Sequence, residues 1–194
     1  RTKSIDCFGN WTETEVKNLY NQDILRQYGL VKLRATESNM INSFNQDGTK
    51  VVQIQSPILT YRYGERERNS KKYCVILTGV VETQHSKTGT TDSFGNSTET
   101  TTINTYDQAL IDNYGIIRVG QNQSITDAQQ NDTARSHSDI TTIYTYTNRD
   151  TKVSDVPSYL QPRYVKNGRI VIGLLLTATG SGTASGKDNI GNTY

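Results

Sequence analysis

Apolar residues recur in two similar stretches of the chain, and each stretch predicts a helix that is followed directly by a strand. The first reads YNQDILRQYGLVKL, from Tyr20 to Leu33, and the second reads YDQALIDNYGIIRV, from Tyr106 to Val119. Because both combine a helical pattern, a stop and a strand start, we interpret them as an internal repeat. The positions that define the repeat at its helix ends are Tyr28, Gly29, Tyr114 and Gly115.

The helix of the first copy is predicted to begin near Thr12 and to end at Tyr28. Thr12 and Glu15 have the spacing of a capping box, in which a hydroxyl and a carboxylate accept hydrogen bonds from backbone amides at the helix start. Gly29 suits the left-handed residue that follows a helix, and Gly115 matches it in the second copy. The apolar stripe of the first helix comprises Val16, Leu19, Tyr20, Ile24 and Tyr28.

The second copy and the segments after both copies complete the expected pattern. Asn104 or Thr105 is expected to cap the second helix. Residues 38–48 and 124–132 are predicted to form a short helix or a loop, and Asp47-Gly48 predicts a hairpin turn. Longer strands should follow in each half, where apolar and aromatic residues cluster.

These elements predict an α+β fold, built by tandem duplication of a small module in which one helix covers an antiparallel or mixed sheet. The polar run from His85 to Thr102 and the glycine-rich tail could be mobile loops, long hairpin arms or segments that a neighbouring subunit orders. The expected boundaries are 1–90 for the first α+β repeat, 91–103 for a polar linker or arm, 104–180 for the second repeat and 181–194 for a flexible or partner-ordered tail.

Composition favours exposed β-structure and a modest core. Of the 194 residues, 33% are apolar, and the mean hydropathy is -0.66. Thr, Asn, Ser and Gln supply most of the polarity together with 12 tyrosines, because only 21% of the residues are charged. Such residues suit strands better than a helical bundle. The longest apolar run, Ile170–Ala178, is far shorter than the roughly 20 residues of a membrane-spanning helix.

Charge argues against a nucleic-acid partner. The net charge is +2, from 21 Lys and Arg against 19 Asp and Glu. Glutamates interrupt the most basic segment, Arg62–Lys72, so that it fits a solvated strand edge or hairpin better than a nucleic-acid-binding patch. The start at Arg1 fits either a mature form that has lost a signal peptide or a trimmed sequence.

Cys7 and Cys74 are the only cysteines, and two interpretations of them stay open. A disulfide between them would stabilise the fold by roughly 4 kcal/mol in the loop-entropy model. Alternatively, they are separate thiols, with Cys74 in an apolar strand. Asn-x-Ser/Thr sequons, which composition alone can produce in a chain so rich in Asn and Thr, begin at Asn10, Asn96, Asn122 and Asn131.

The sequence contains no pattern that assigns a catalytic, metal or cofactor site. His85 and His137 are the only histidines, and neither has zinc-ligand spacing. The adjacent residues 136–139, Ser-His-Ser-Asp, cannot form a catalytic triad by themselves. The run Gly180–Gly186 lacks the following helix that holds phosphate in a dinucleotide-binding loop. We therefore expect a protein that is not an enzyme and that uses neither cofactor nor metal.

Two tyrosine pairs have the spacing of strand residues on one face. Tyr61 and Tyr63 form one pair, and Tyr144 and Tyr146 form the other. Both pairs could be ordinary aromatic strand packing, or they could form a platform on which a ligand stacks.

The segment QALIDNYGIIRVGQNQSITDAQQN, which contains the second copy, resembles the TolB N-terminal-like modules of bacterial envelope-assembly proteins of the curli-secretion and penicillin-binding-protein-activator type. Those modules share a helix that ends at Gly, a strand and a short helix with Ala and Gln, here Ala128, Gln129 and Gln130. The first copy departs from this pattern. The resemblance implies an exported, non-enzymatic protein that acts in envelope assembly through protein–protein contacts.

The leading hypothesis is a non-enzymatic, extracytoplasmic assembly subunit of a surface filament, ring, secretion complex or virion. We expect protein partners or a homo-oligomer, formed by strand-edge pairing or arm exchange, and only an indirect association with membranes. One alternative is a glycan- or host-surface-binding module that uses the tyrosine pairs. A second is a pore former in which residues 85–102 become a membrane hairpin.

Overall fold

The structure is a computed structural model that describes residues 1–68, 70–80 and 83–194. The side chains of Arg66, Arg68, Tyr73 and Cys74 also lie outside the described part.

The expected α+β fold is wrong, because the structure is 58% strand and 11% helix, in three antiparallel sheets. The error begins at residues 12–20, which were expected to be helical but form strand β2 (Trp11–Tyr20). Thr12, Thr14 and Val16 are β-branched, and pairing with a neighbouring strand decides their conformation. Helix α1 (Gln22–Tyr28) begins only after Asn21, whose side chain accepts hydrogen bonds from two backbone amides.

The first sheet has five strands in the order β1, β2, β3, β5, β6. Its remaining strands are β1 (Thr2–Ile5), β3 (Leu33–Phe44), β5 (Ile58–Arg68) and β6 (Lys71–Val80). Strand β3 begins in the strand that was expected after the first helix and continues through residues 38–44, which were expected to form a short helix or loop. A turn forms at the predicted Asp47-Gly48, with Gly48 at a φ of 80°, but it is not a hairpin, because it connects β3 to β4 of the other sheet.

The second sheet has six strands in the order β13, β10, β9, β8, β7, β4. The polar run that was expected to be a loop or arm forms β7, a turn and β8, and the expected tail begins inside β13. Residues 124–129, also expected as a short helix or loop, belong to β9. The strands are β4 (Lys50–Gln55), β7 (Thr83–Thr91), β8 (Ser97–Tyr106), β9 (Val119–Gln129), β10 (Arg135–Tyr146) and β13 (Leu175–Lys187).

Smaller elements lie at the end of the second sheet opposite its tight turns. Helix α2 (Gln108–Tyr114) connects β8 to β9 and is capped by Asp107, not by the expected Asn104 or Thr105. Strand β10 is connected to β13 by a segment with three small elements. These are a single 3-10 turn (Val153–Asp155), helix α3 (Gln161–Tyr164) and the hairpin of β11 (Val165–Lys166) and β12 (Arg169–Ile170). Both predicted glycine stops are confirmed, since Gly29 and Gly115 are left-handed.

The core is small and lies at that same end of the molecule. No described side chain in the six strands of the second sheet is buried, so that most of this sheet is a single layer with two solvent-accessible faces. No helix among the described residues is long and apolar enough to cross a membrane. The buried apolar residues of the described part are Ala35, Val75, Val80, Leu110, Ile111 and Val156.

Candidate interaction surface

Three tight turns share the sequence Asp-x-Phe/Ile-Gly-Asn and the same hydrogen bonds. In the turn from β7 to β8, Asp92 Oδ1 accepts from the backbone amides of Phe94 at 2.9 Å and Asn96 at 2.8 Å. The Asn96 side chain donates to Asp92 Oδ2 at 2.7 Å. Gly95 has a φ of 86°, which glycine adopts without strain. The same bonds occur in turns 6–10 and 188–192.

These hydrogen bonds lower the pKa of each turn aspartate below its ordinary value. At Asp92 the main cause is the side-chain bond from Asn96, which together with the backbone amides outweighs the opposing desolvation. At Asp6 and Asp188 desolvation opposes the change, but the bonds from the turn asparagine and the backbone amides prevail. The ionised carboxylates therefore stabilise the turns through these hydrogen bonds, an arrangement that we call the clasp.

Turns 6–10 and 92–96 are also hydrogen-bonded to the neighbouring turns, 45–49 and 130–134. Asn10 Oδ1 accepts from the backbone amide of Gln46 at 2.9 Å, and Asn96 Oδ1 accepts from that of Asn131, also at 2.9 Å. Both asparagines begin sequons, yet their amides are occupied by these contacts. We conclude that Asn10 and Asn96 have structural roles in the turns.

Each of the three turns carries one large apolar side chain at its tip. Phe8 is 73% exposed, Phe94 is 77% exposed and Ile190 is 81% exposed. The clasped turns hold these side chains away from the sheet, where they contribute nothing to the core. These three side chains are therefore candidate contact residues.

The two faces of the second sheet differ in charge. One face carries the charged side chains: Lys87 Nζ forms an ion pair with Glu99 at 2.6 Å, and His137 Nδ1 is hydrogen-bonded to Asp127 Oδ1 at 2.7 Å. The other face is uncharged along β7 to β13, and its hydroxyls and amides interact across strands, as Asn122 does with Asn104 at 2.8 Å. Its members on β8 and β9 are Thr98, Thr100, Thr102, Asn104, Asn122, Ser124, Thr126 and Ala128.

A groove of about 960 Å³ crosses the charged face close to the tight turns. Its lining includes Glu99, Asp127 and His137 together with the apolar side chains of Val52 and Ile54. Among the described residues, no three His, Cys, Asp or Glu side chains come together as a metal-binding group.

The tyrosine pairs that were singled out in the sequence lie in different sheets. Tyr61 and Tyr63 are on β5, and Tyr144 and Tyr146 are on β10. All four are half-buried, and the Tyr146 hydroxyl donates to the Val119 carbonyl at 2.7 Å. Burial raises the pKa of Tyr63 and Tyr146. Ligand stacking on either pair stays a prediction.

The remaining sequence candidates are spread over the molecule. Cys7 is a free, exposed thiol in the first tight turn, so the Cys7–Cys74 bridge is not formed; the Cys74 side chain lies outside the described residues. His85 is an exposed residue of β7, and His137 pairs with Asp127. The sequence analysis did not identify the three tight turns, although the similar pentapeptides DCFGN, DSFGN and DNIGN are visible in the chain.

Comparison with known proteins finds no matching family model, no matching curated protein and no matching solved structure.

Proposed function

We propose that this chain is a non-enzymatic assembly subunit that works outside the cytoplasm through contacts with other proteins or with itself. The observation that carries the proposal is its surface area. The chain exposes 12960 Å², whereas a compact monomer of 21.7 kDa would expose about 9,200 Å². The excess of almost 4,000 Å² is several times the roughly 800 Å² that one partner contributes to a standard interface.

The location of exposed apolar groups supports the same proposal. The three turn tips and the region around α1 present large apolar side chains to solvent, while the middle of the second sheet has no layer packed against it. A sheet with two open faces and little core gains stability when a partner covers it.

We further infer an internal repeat of strands, in place of the duplicated α+β module. Three pairs of segments support this repeat, because the two members of each pair have similar backbone hydrogen bonds. The pairs are turns 6–10 and 92–96, turns 45–49 and 130–134, and the helices that follow β2 and β8. Repeated units of this kind place equivalent contacts at regular intervals. The extracytoplasmic location rests on the Thr-, Asn- and Tyr-rich strands and on the resemblance to envelope-assembly modules.

Sedimentation equilibrium over a wide concentration range tests the proposal. We expect a mass that rises above that of one chain with concentration, and ordered particles by electron microscopy. A matched pair of variants locates the contact: Phe8→Ser/Phe94→Ser/Ile190→Ser removes the tips, and Thr88→Ser/Thr100→Ser alters uncharged positions in the strands. A chain that stays monomeric at every concentration, with no effect of the tip variant, contradicts self-association through these surfaces.

A further inference from the structure

Strands β7 to β10 each place four residues on one face of the second sheet, and none of these sixteen residues is charged. The register of the sheet arranges them in four rows that cross all four strands. The opposite face of the same strands carries Lys87, Glu99 and Asp127. The sixteen positions, which we call the uncharged face, are the even-numbered residues of 84–90, 98–104, 122–128 and 136–142.

The lack of charge is unusual for a surface that only water covers. All sixteen positions belong to the described part of the chain, and each is at least partly accessible to solvent. A soluble surface with about 25% charged residues would carry about four of them at sixteen positions. The core of a protein interface, in contrast, is depleted of charged residues. The composition of the uncharged face therefore favours a covered surface.

The uncharged face is complementary to a second copy of itself. Most of its side chains are Ser or Thr hydroxyls, which both donate and accept, so that two such surfaces can satisfy each other. These groups already interact within the face, where Thr100 Oγ1 lies 3.3 Å from Thr126 Oγ1 and Asn122 donates to Asn104 at 2.8 Å. Because most of the side chains are short, two sheets can approach to the usual separation of about 10 Å.

The area of the face suits a dimer. On β13 it continues with Gly180, Gly182 and Ala184, which pair with Thr142, Ile140 and Ser138 and add little bulk. With strands about 4.8 Å apart and residues of one face about 6.8 Å apart along a strand, five strands and four rows cover roughly 650 Å². Two copies would together bury roughly 1,300 Å², which lies within the range of about 1,200–2,000 Å² for specific interfaces.

We propose that the uncharged face is a homodimer interface, at which the second sheets of two copies pack face to face about a two-fold axis. Such an isologous contact uses the same surface on both copies and closes into a dimer. The charged faces then lie on the two outer sides, in contact with water. The contact uses side chains and leaves the strand edges free, so that it tolerates further strands at either edge of the sheet. The inference rests on the proposed function as an assembly subunit.

Two isoleucines of β10 provide a matched test. Ile140 is 49% exposed on the uncharged face, and Ile143 is 50% exposed on the opposite face. The residues that pair with each of them are uncharged. By sedimentation velocity over a range of concentrations, we expect the wild type and Ile143→Lys to reach about 43 kDa, twice the 21.7 kDa of one chain. Ile140→Lys buries an unpaired ammonium group and should raise the dimer dissociation constant by roughly thirtyfold or more.

Two further measurements need no substitution. With a soluble nitroxide in the NMR sample, the Ile140 methyl resonances should become protected as protein concentration rises, while those of Ile143 stay accessible. Because the proposed interface contains no charge, added sodium chloride should leave the dimer intact, whereas association through the charged face would weaken.

The outcomes separate this inference from the proposed function. A wild type that associates, but with equal effects of the two lysine variants or equal nitroxide access to the two isoleucines, overturns the interface at the uncharged face and leaves the assembly role standing. A wild type that is monomeric at all concentrations overturns this inference together with self-association, and leaves contacts with other proteins as the proposed function.

Discussion

Helices α1 and α2 have nearly the same local structure but very different surroundings. Each has seven residues, follows an Asn or Asp cap and ends at a left-handed glycine. In α2, Leu110 and Ile111 are buried, whereas α1 has no buried residue and its Leu25, aligned with Ile111, is 39% exposed. The sequence similarity therefore specifies the helix and its ends but not its burial.

The difference arises from what covers each helix. Strand β6 packs on α2, and the Gln108 side chain donates to the Thr78 carbonyl at 3.2 Å. The segment after β10 adds a contact, since the Tyr114 hydroxyl accepts from the Arg149 amide at 3.2 Å. The aligned Tyr28 is 41% exposed. Helix α1 thus exposes the apolar surface that is covered in α2, and this difference supports the proposed role in assembly.

Truncation of the buried side chain is expected to have the largest effect. Ile111→Ala removes a fully buried side chain and leaves a cavity, so we expect a loss of about 2–5 kcal/mol in the free energy of unfolding. Leu25→Ala at the aligned position should cost about 1 kcal/mol or less. Urea denaturation of both variants measures the difference, and equal losses would show that α1 is covered in solution.

Replacement of the helix-ending glycines should destabilise both helices by similar amounts. A Cβ at Gly29 or at Gly115 meets nothing within 4 Å, so only the left-handed backbone opposes Gly→Ala, at a cost of about 1–2 kcal/mol. The same denaturation experiment measures it. A much larger loss at Gly115 alone would indicate that its surroundings, and not its conformation, demand glycine.

The helix caps should contribute slightly less. Asn21 Oδ1 accepts from the amides of Asp23 and Ile24, both at 3.1 Å, and Asp107 Oδ1 accepts from Leu110 at 3.0 Å. Substitution of either by Ala should cost about 1 kcal/mol, measured by thermal unfolding. Serine at each position, which keeps a capping oxygen, is the control and should recover most of the loss.

The smallest expected effect is the pH response of the turn aspartates. Because the folded-state pKa of Asp6 and Asp92 lies below the unfolded value, their contribution is complete above the unfolded pKa and is lost as pH falls through the folded one. Carboxyl ¹³C titration by NMR should show both lowered values. Asn96→Ala should raise the pKa of Asp92 and leave the pKa of Asp6 unchanged. If neither aspartate has a lowered pKa in the wild type, the hydrogen-bonded structure of the turns is contradicted.

The sequence allowed a correct prediction of the local features that single residues determine. The glycine stops after both helices and the Asp47-Gly48 turn belong to this group, because their backbone angles need a particular residue. Strand β2 was misread, since Val16, Leu19, Tyr20 and Ile24 happen to recur at helical spacing. Its partner β3 overrides that pattern.

The candidate surface was less predictable for a physical reason. The polar run that forms most of β7 and β8 was expected to be a mobile loop, a hairpin arm or a partner-ordered segment, because polar segments without apolar alternation give no strand signal. Pairing with neighbouring strands holds this run within the sheet. The exposure of Phe8, Phe94 and Ile190 depends on a clasp of hydrogen bonds that only a comparison of the three turns discloses. The resemblance to TolB-like modules stays a prediction.

Amide hydrogen exchange in helices α1 and α2 at several protein concentrations tests most directly the claim that the exposed apolar surface is covered by a partner copy. We predict that the amides of Leu25 and Gly29, which are bonded to the carbonyls of Asn21 and Leu25, exchange more slowly at high protein concentration than on dilution. The Gly115 amide in the covered helix α2, which is bonded to the Ile111 carbonyl, should not change. Exchange at Leu25 and Gly29 that is equally fast at every concentration would contradict the account.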